Sequence, residues 1–171
     1  MTDTQHQQTG GTETMFAPDD NVKTLWVKAY QGEILGEIFF ERVGEQRDDT
    51  DHRLKMSVLS RLERRTKEAV VPALQRAGIS TDADPSTVSD AESLAGAVSS
   101  LSWAELMASF EPVTTQFAAM YARIGELDPA EQETADLLVA HELALRDFAR
   151  QELVGNTDNS LQAINSLSHM Q

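Results

Sequence analysis

Apolar side chains recur at spacings of three and four along most of this chain, and the segments that carry the period are long. The first can start at Asp19 or Asp20, either of which can cap a helix, and runs to about Gln46. Within it Trp26, Tyr30, Glu33, Glu37 and Phe40 share one face, and Leu25, Ala29, Gly32, Gly36, Phe39 and Val43 share a neighbouring one. Ile34 and Ile38 widen that surface, which predicts a helix buried on most sides. Gly32 and Gly36 each cost about 1 kcal/mol of helix propensity, and close approach of another helix is the expected return. The short loop Arg47-Asp48-Asp49-Thr50 predicts an antiparallel second helix over about Asp51 to Ala77. Its stripe is Met56, Leu59, Leu62, Glu63, Thr66, Val70 and Leu74; Pro72 is expected to bend it, and Gly78 to stop it.

The second half repeats this plan after a long connection. Residues 78–85 read as loop, and Ser89-Asp90-Ala91-Glu92 reads as a capping box opening a short helix through Leu94 and Val98. A second capping box, Ser102-Trp103-Ala104-Glu105, opens a third long helix to about Leu127, with Leu106, Phe110, Phe117, Met120, Tyr121 and Ile124 inward and a bend expected at Pro112. Asp128-Pro129-Ala130-Glu131 supplies a cap, a proline at the first helical position and an acid at the third. The fourth helix then reaches about Val154, before Gly155, with Leu138, His141, Glu142, Leu145, Phe148, Ala149 and Glu152 on its stripe. Leu161, Ile164 and Leu167 suffice for one short packing helix. The predicted organisation is all-α: a disordered arm over residues 1–18, two antiparallel hairpins joined by a long crossover over 19–155, and a tail with a short helix over 156–171.

Composition narrows the function. The 171 residues are 40% hydrophobic with a formal net charge of −14, which disfavours nucleic acid and anionic membrane as partners. There is no cysteine, so thiolate metal sites and disulfides are excluded. No Gly-rich phosphate loop announces a nucleotide cofactor. The polar start of the chain lacks a signal-peptide apolar core, and a cytoplasmic location is the expectation. The first helix is apolar enough to suggest a homodimer through part of it or the connector.

The informative residues are carboxylates where apolar side chains are expected. Glu63 sits among Leu59, Leu62, Thr66 and Val70; a buried carboxylate is paired, protonated or bound to metal. Glu33 and Glu37 raise the same question on the first helix, Glu111 on the third, and Glu142 with His141 on the fourth. Glu152, near the end of its helix, is expected to face water, and His6, His52 and His169 carry no spacing signal.

These segments resemble the ferritin-like superfamily over roughly residues 20–154. The stretches that carry the resemblance are Ala29-Tyr30-Gln31-Gly32-Glu33-Ile34-Leu35-Gly36-Glu37, Leu62-Glu63-Arg64-Arg65-Thr66 and Ala140-His141-Glu142-Leu143-Ala144-Leu145. The resemblance implies a four-helix bundle holding two iron or manganese ions, on a Glu from each of the first and third helices and a Glu-x-x-His from each of the second and fourth, and for this chain one or two such ions are expected. Glu33 matches the first-helix Glu, with Glu37 one turn on as an alternative. Glu63 matches the Glu of the second helix, Glu111 that of the third and Glu142 that of the fourth. Thr66 and Leu145 stand where the two histidines would be. The nearby imidazole, His141, is turned about 100° from Glu142.

Three readings stay open at this level. The carboxylates with His141 bind iron, manganese or magnesium and support redox or oxygen chemistry. Alternatively they are internally paired, with Arg64, Arg123 or Arg146 or with the hydroxyls of Tyr30 and Tyr121, in a metal-free bundle. In the third reading, a small organic ligand occupies the core, contacted by Tyr30, Thr66 and Tyr121, and a Glu or His141 acts as acid or base.

Overall fold

The computed structural model of the protein describes residues 16, 17 and 19–171. The arm expected over residues 1–18 lies almost wholly outside that range. The described residues form six α-helices: α1 (Val22–Glu45), α2 (Thr50–Arg76), α3 (Pro85–Ala97), α4 (Trp103–Leu127), α5 (Gln132–Leu153) and α6 (Gln162–Asn165). No strand occurs among them, and no helix is long and apolar enough to cross a membrane.

Three helix starts differ from the sequence expectation, each for a local reason. Asn21, not Asp19 or Asp20, caps α1, its side-chain oxygen accepting from the Thr24 N–H at 3.0 Å. Asp20 is engaged instead by the Ala17 N–H and by Lys28 Nζ. α3 begins at Pro85 under an Asp84 cap, so Ser89 lies inside it and bonds back to the Ser86 carbonyl. Proline's fixed φ suits that first helical position. Asp128 makes no cap; a 3-10 turn at Pro129–Glu131 intervenes before α5, and Asp128 Oδ2 accepts the indole N–H of Trp26 at 3.1 Å. The Ser102–Glu105 capping box forms as read. Gly78 and Gly155, at φ +63° and +80°, follow the ends of α2 and α5 in the left-handed region that favours glycine.

The short links make α1 and α2 one hairpin and α4 and α5 another. α1 also touches α4, and α2 touches α5. The four long helices therefore form a ring of neighbours in the order α1, α2, α5, α4. The crossover helix α3 lies on α1, clamped by Gln31, whose side chain accepts from the Asp84 N–H and the Thr87 hydroxyl and donates to the Asp82 carbonyl. α6 and the final turn return onto α5 and α2.

Two apolar cores fill the ring. One collects Leu25, Trp26, Ile34, Val70, Leu74, Met120, Ile124 and Leu138; the other collects Phe40, Met56, Leu59, Leu62, Leu106, Phe110, Leu145 and Phe148, with Ile164 from α6. Each fully buried side chain of this size contributes about 1.5–3 kcal/mol. Between the cores every long helix contributes a buried polar side chain: Glu33 on α1, Glu63 and Thr66 on α2, Thr114 on α4, and His141 and Glu142 on α5. This polar layer is where chemistry is to be sought. Glu152, expected in water, is buried at the far end of α5. It takes the Lys55 ammonium at 2.7 Å and the Trp103 N–H at 2.8 Å, which together compensate its burial.

Candidate metal centre

Helical spacing puts the layer together. Glu63 and Thr66 are three apart on α2 and so share a face; His141 and Glu142 straddle the inward stripe of α5. Close approach is made possible on α1 by Gly36. A Cβ there would sit 2.5 Å from Glu63 Oε2, so only glycine leaves room for that carboxyl. Gly32, one turn earlier, faces Phe117 of α4, where a Cβ would meet the ring at 3.1 Å.

Glu33, Glu63 and His141 each present an atom within 4.8 Å of the others, and all three residues are buried. His141 Nε2 lies 3.3 Å from Glu63 Oε1 and 3.9 Å from Glu142 Oε1; Nδ1 lies 3.9 Å from Glu33 Oε2. Tyr121 donates its hydroxyl to Glu33 Oε1 at 3.0 Å.

The tautomer of His141 follows from Thr66. Its hydroxyl oxygen has three neighbours: the Leu62 carbonyl at 3.0 Å, His141 Nδ1 at 2.7 Å and His169 Nε2 at 3.0 Å. A hydroxyl carries one proton, and the carbonyl can only accept. The arrangement that satisfies all three contacts sends the Thr66 proton to Leu62 and has both imidazoles donate to Thr66. His141 is then protonated at Nδ1, and its Nε2 lone pair faces the carboxyls. Neither His141 Nε2 nor Glu33 Oε2, both buried, has a hydrogen-bond partner. An imidazole lone pair and a carboxyl oxygen, both buried and without a partner, beside the Glu63 carboxyl, are donor types that divalent cations take.

Burial dominates the electrostatics. It pushes the Glu33 carboxyl from the ordinary 4.5 up to about 8, with His141 opposing and Glu63 reinforcing. Glu63 also rises to about 8 by burial, although the hydrogen bond it shares with Glu33 opposes the rise. Glu142 is driven well above its usual range by burial and by Glu63 and Glu33. Burial lowers His141, and it brings His169 down to about 4. Without a cation the layer at neutral pH is thus largely protonated carboxyls around a neutral imidazole.

The consequence for stability has a definite sign. Between pH 4.5 and 8 the folded chain keeps carboxyl protons that the unfolded chain has lost, so stability falls as pH rises through that window. The imidazoles act oppositely, but their contribution is already levelling off at their ordinary 6.5 and is complete about one pH unit above it. In chelator-treated protein the melting temperature is expected to fall between pH 6.5 and 8.5, and the Glu33→Gln/Glu63→Gln double variant is expected to flatten that fall. A melting temperature that rises over this interval in the parent protein would contradict the assignment.

Comparison with protein-family models, with curated proteins and with solved structures finds no significant match to this chain.

The structure brings together Glu33, Glu63, His141, Glu142, Thr66 and Tyr121 of the residues singled out from sequence. It does not bring in the other three. Glu37 is at the rim of α1, paired with Arg64 at 2.7 Å and with Lys67. Glu111 is on the surface, paired with Arg150 at 2.6 Å, and Thr114, one turn on, is the buried polar residue of α4, its hydroxyl donating to the Phe110 carbonyl of its own helix. Tyr30 donates to the Thr81 carbonyl in the crossover. Of the arginines considered as internal partners, Arg64 pairs with Glu37 and Arg123 with Glu126. Two participants carried no recognised sequence signal. Thr114 sits beside the more conspicuous Glu111, and His169 reaches Thr66 only because the tail folds back onto α2.

Proposed function

We propose that the protein is a ferritin-like four-helix bundle whose central layer binds a divalent transition-metal ion, iron or manganese, for redox or oxygen chemistry. The observation that carries this reading is the convergence of Glu33, Glu63 and His141, each with a donor atom within 4.8 Å of the others, together with two buried atoms among them, His141 Nε2 and Glu33 Oε2, that have no hydrogen-bond partner. Glu33, Glu63 and His141 would hold the ion. A bound iron or manganese ion would supply one-electron redox chemistry and an open coordination position. The chain's own groups have separable tasks. Thr66 fixes the His141 ring by accepting its Nδ1 proton, and His169 buttresses that hydroxyl. Tyr121 orients the Glu33 carboxyl. Glu142, beside His141 Nε2, holds a proton next to the centre. The two apolar cores exclude bulk water on either side.

The test is elemental analysis of protein purified without chelator, then incubated with Fe(II) or Mn(II) and desalted. The reading predicts about one ion per chain, with a second ion requiring Glu142. Less than about a tenth of an equivalent under both conditions would overturn it. A metal-free, internally paired layer is the second reading. It is favoured by the Tyr121–Glu33 hydrogen bond and by the readiness of the buried carboxyls to stay protonated. That reading predicts the low outcome.

A further inference from the structure

A cavity of about 230 Å³ lies between α1 and α4, against the polar layer. Glu33, Glu63 and Glu142 are at its inner end, and Phe39, Phe110, Phe117 and Leu145 make much of its wall. Leu94 of α3 and Val113 of α4 also line it, and both are nearly half exposed, at 47% each. They mark the mouth. Gly32 contributes bare backbone to the wall opposite Phe117.

Size and lining restrict what fits. An apolar cavity of roughly 150 Å³ accepts benzene, so this one suits a molecule of about eight to ten non-hydrogen atoms. It is too small for a nucleotide or a drug-sized cofactor, which occupies roughly 300 Å³ or more. The hydroxyls of Ser109, Thr114 and Tyr121 along the wall already donate to Leu106, Phe110 and Glu33, so a polar group on the ligand is directed to the carboxyl end. An anionic head placed there would meet three carboxyl groups with no cationic side chain from the protein.

We propose that this cavity binds a small, uncharged, single-headed apolar molecule of about octyl size, its hydroxyl or similar head against Glu33, Glu63 and Glu142. The proposal goes beyond the metal-centre reading and stands on the lining of the cavity in the metal-free chain; only the ligand's role as substrate rests on that reading. The Leu94–Val113 mouth is its entrance, and the aromatic wall sets the chain length.

The probe is 1-octanol, titrated into the full chain after chelator treatment at pH 7 and followed by methyl resonances. Leu145, Val98 and Val113 report on the cavity, and Leu74 and Val70 in the other core serve as controls. Saturable one-to-one shifts confined to the cavity methyls are expected, with a Kd below roughly 1 mM. Octanoate is expected to bind at least about tenfold more weakly, since its charge would have to be neutralised on entry. Val113→Trp, a substitution at an exposed position that should fold, plugs the mouth and is expected to weaken octanol at least about tenfold. Absence of saturation, octanoate binding as tightly as octanol, or octanol binding unaffected by Val113→Trp would each overturn the proposal. Metal loading is scored separately. Octanol binding without metal uptake leaves the cavity and removes the centre, and metal uptake without octanol binding does the reverse.

Discussion

Replacing Glu63 with glutamine is expected to abolish stoichiometric uptake of iron or manganese while leaving the helices folded. Glu63 is one of the three converging donors, 3.3 Å from His141 Nε2 and packed against Gly36. Glutamine keeps the shape that Gly36 accommodates and removes the negative charge. Changes to groups that merely orient metal ligands cost about 10–100-fold in affinity, so loss of a ligand should cost at least about a hundredfold. The same substitution has a second, opposite signature. In metal-free protein above pH 8 the Glu63 carboxyl ionises against its burial, and the amide does not. The variant is therefore expected to melt higher than the parent at pH 8.5 in chelator and lower in the presence of Mn(II). Titration calorimetry and thermal melts with and without metal read both effects. Unchanged metal uptake by Glu63→Gln would mean that the donors are elsewhere.

Gly36→Ala is expected to separate the site from the fold. Alanine gains up to about 1 kcal/mol of helix propensity, and no backbone strain opposes it, since Gly36 lies within α1. Its Cβ, however, would be 2.5 Å from Glu63 Oε2 and 2.6 Å from the carboxyl carbon. The carboxyl must move, and the cavity that Glu63 and Gly36 both line gives it room to do so, away from the position it shares with Glu33 and His141. Metal affinity is expected to fall about 10–100-fold, while the unfolding free energy of the metal-free protein changes by less than about 2 kcal/mol. Gly96→Ala is the control: a Cβ there meets nothing within 4 Å, and it should leave affinity untouched. A Gly36→Ala protein that binds metal like the parent would remove the link between this glycine and the site.

The helices were legible in the sequence because period and punctuation agreed. Gly78, Gly155 and the Ser102–Glu105 box end or start helices as read. The starts that shifted did so where two capping residues competed. Asn21 prevailed over Asp20, which Lys28 holds, and Asp84 with Pro85 prevailed over Ser89. Glu33, Glu63 and His141 stood out as ionisable residues inside apolar stripes, and that contrast survives in three dimensions. Glu111 and Glu37 gave the same contrast, yet they lie far enough round their helices to reach Arg150, and Arg64 and Lys67. A one-residue rotation of about 100° decides between core and rim, and apolar period alone does not resolve it. His169 was illegible for another reason: its role depends on a long-range return of the tail, which no local spacing encodes.

Convergence of Glu33, Glu63 and His141 on one cation is tested most directly by locating that cation. Crystals of the protein soaked in Mn(II) and measured near the manganese absorption edge are expected to show one anomalous peak in the layer between the two cores. It should lie at roughly 2.0–2.3 Å from His141 Nε2 and from oxygens of Glu33 and Glu63. A peak confined to surface carboxylates such as Glu111, or an empty layer at full soak concentration, would contradict the account.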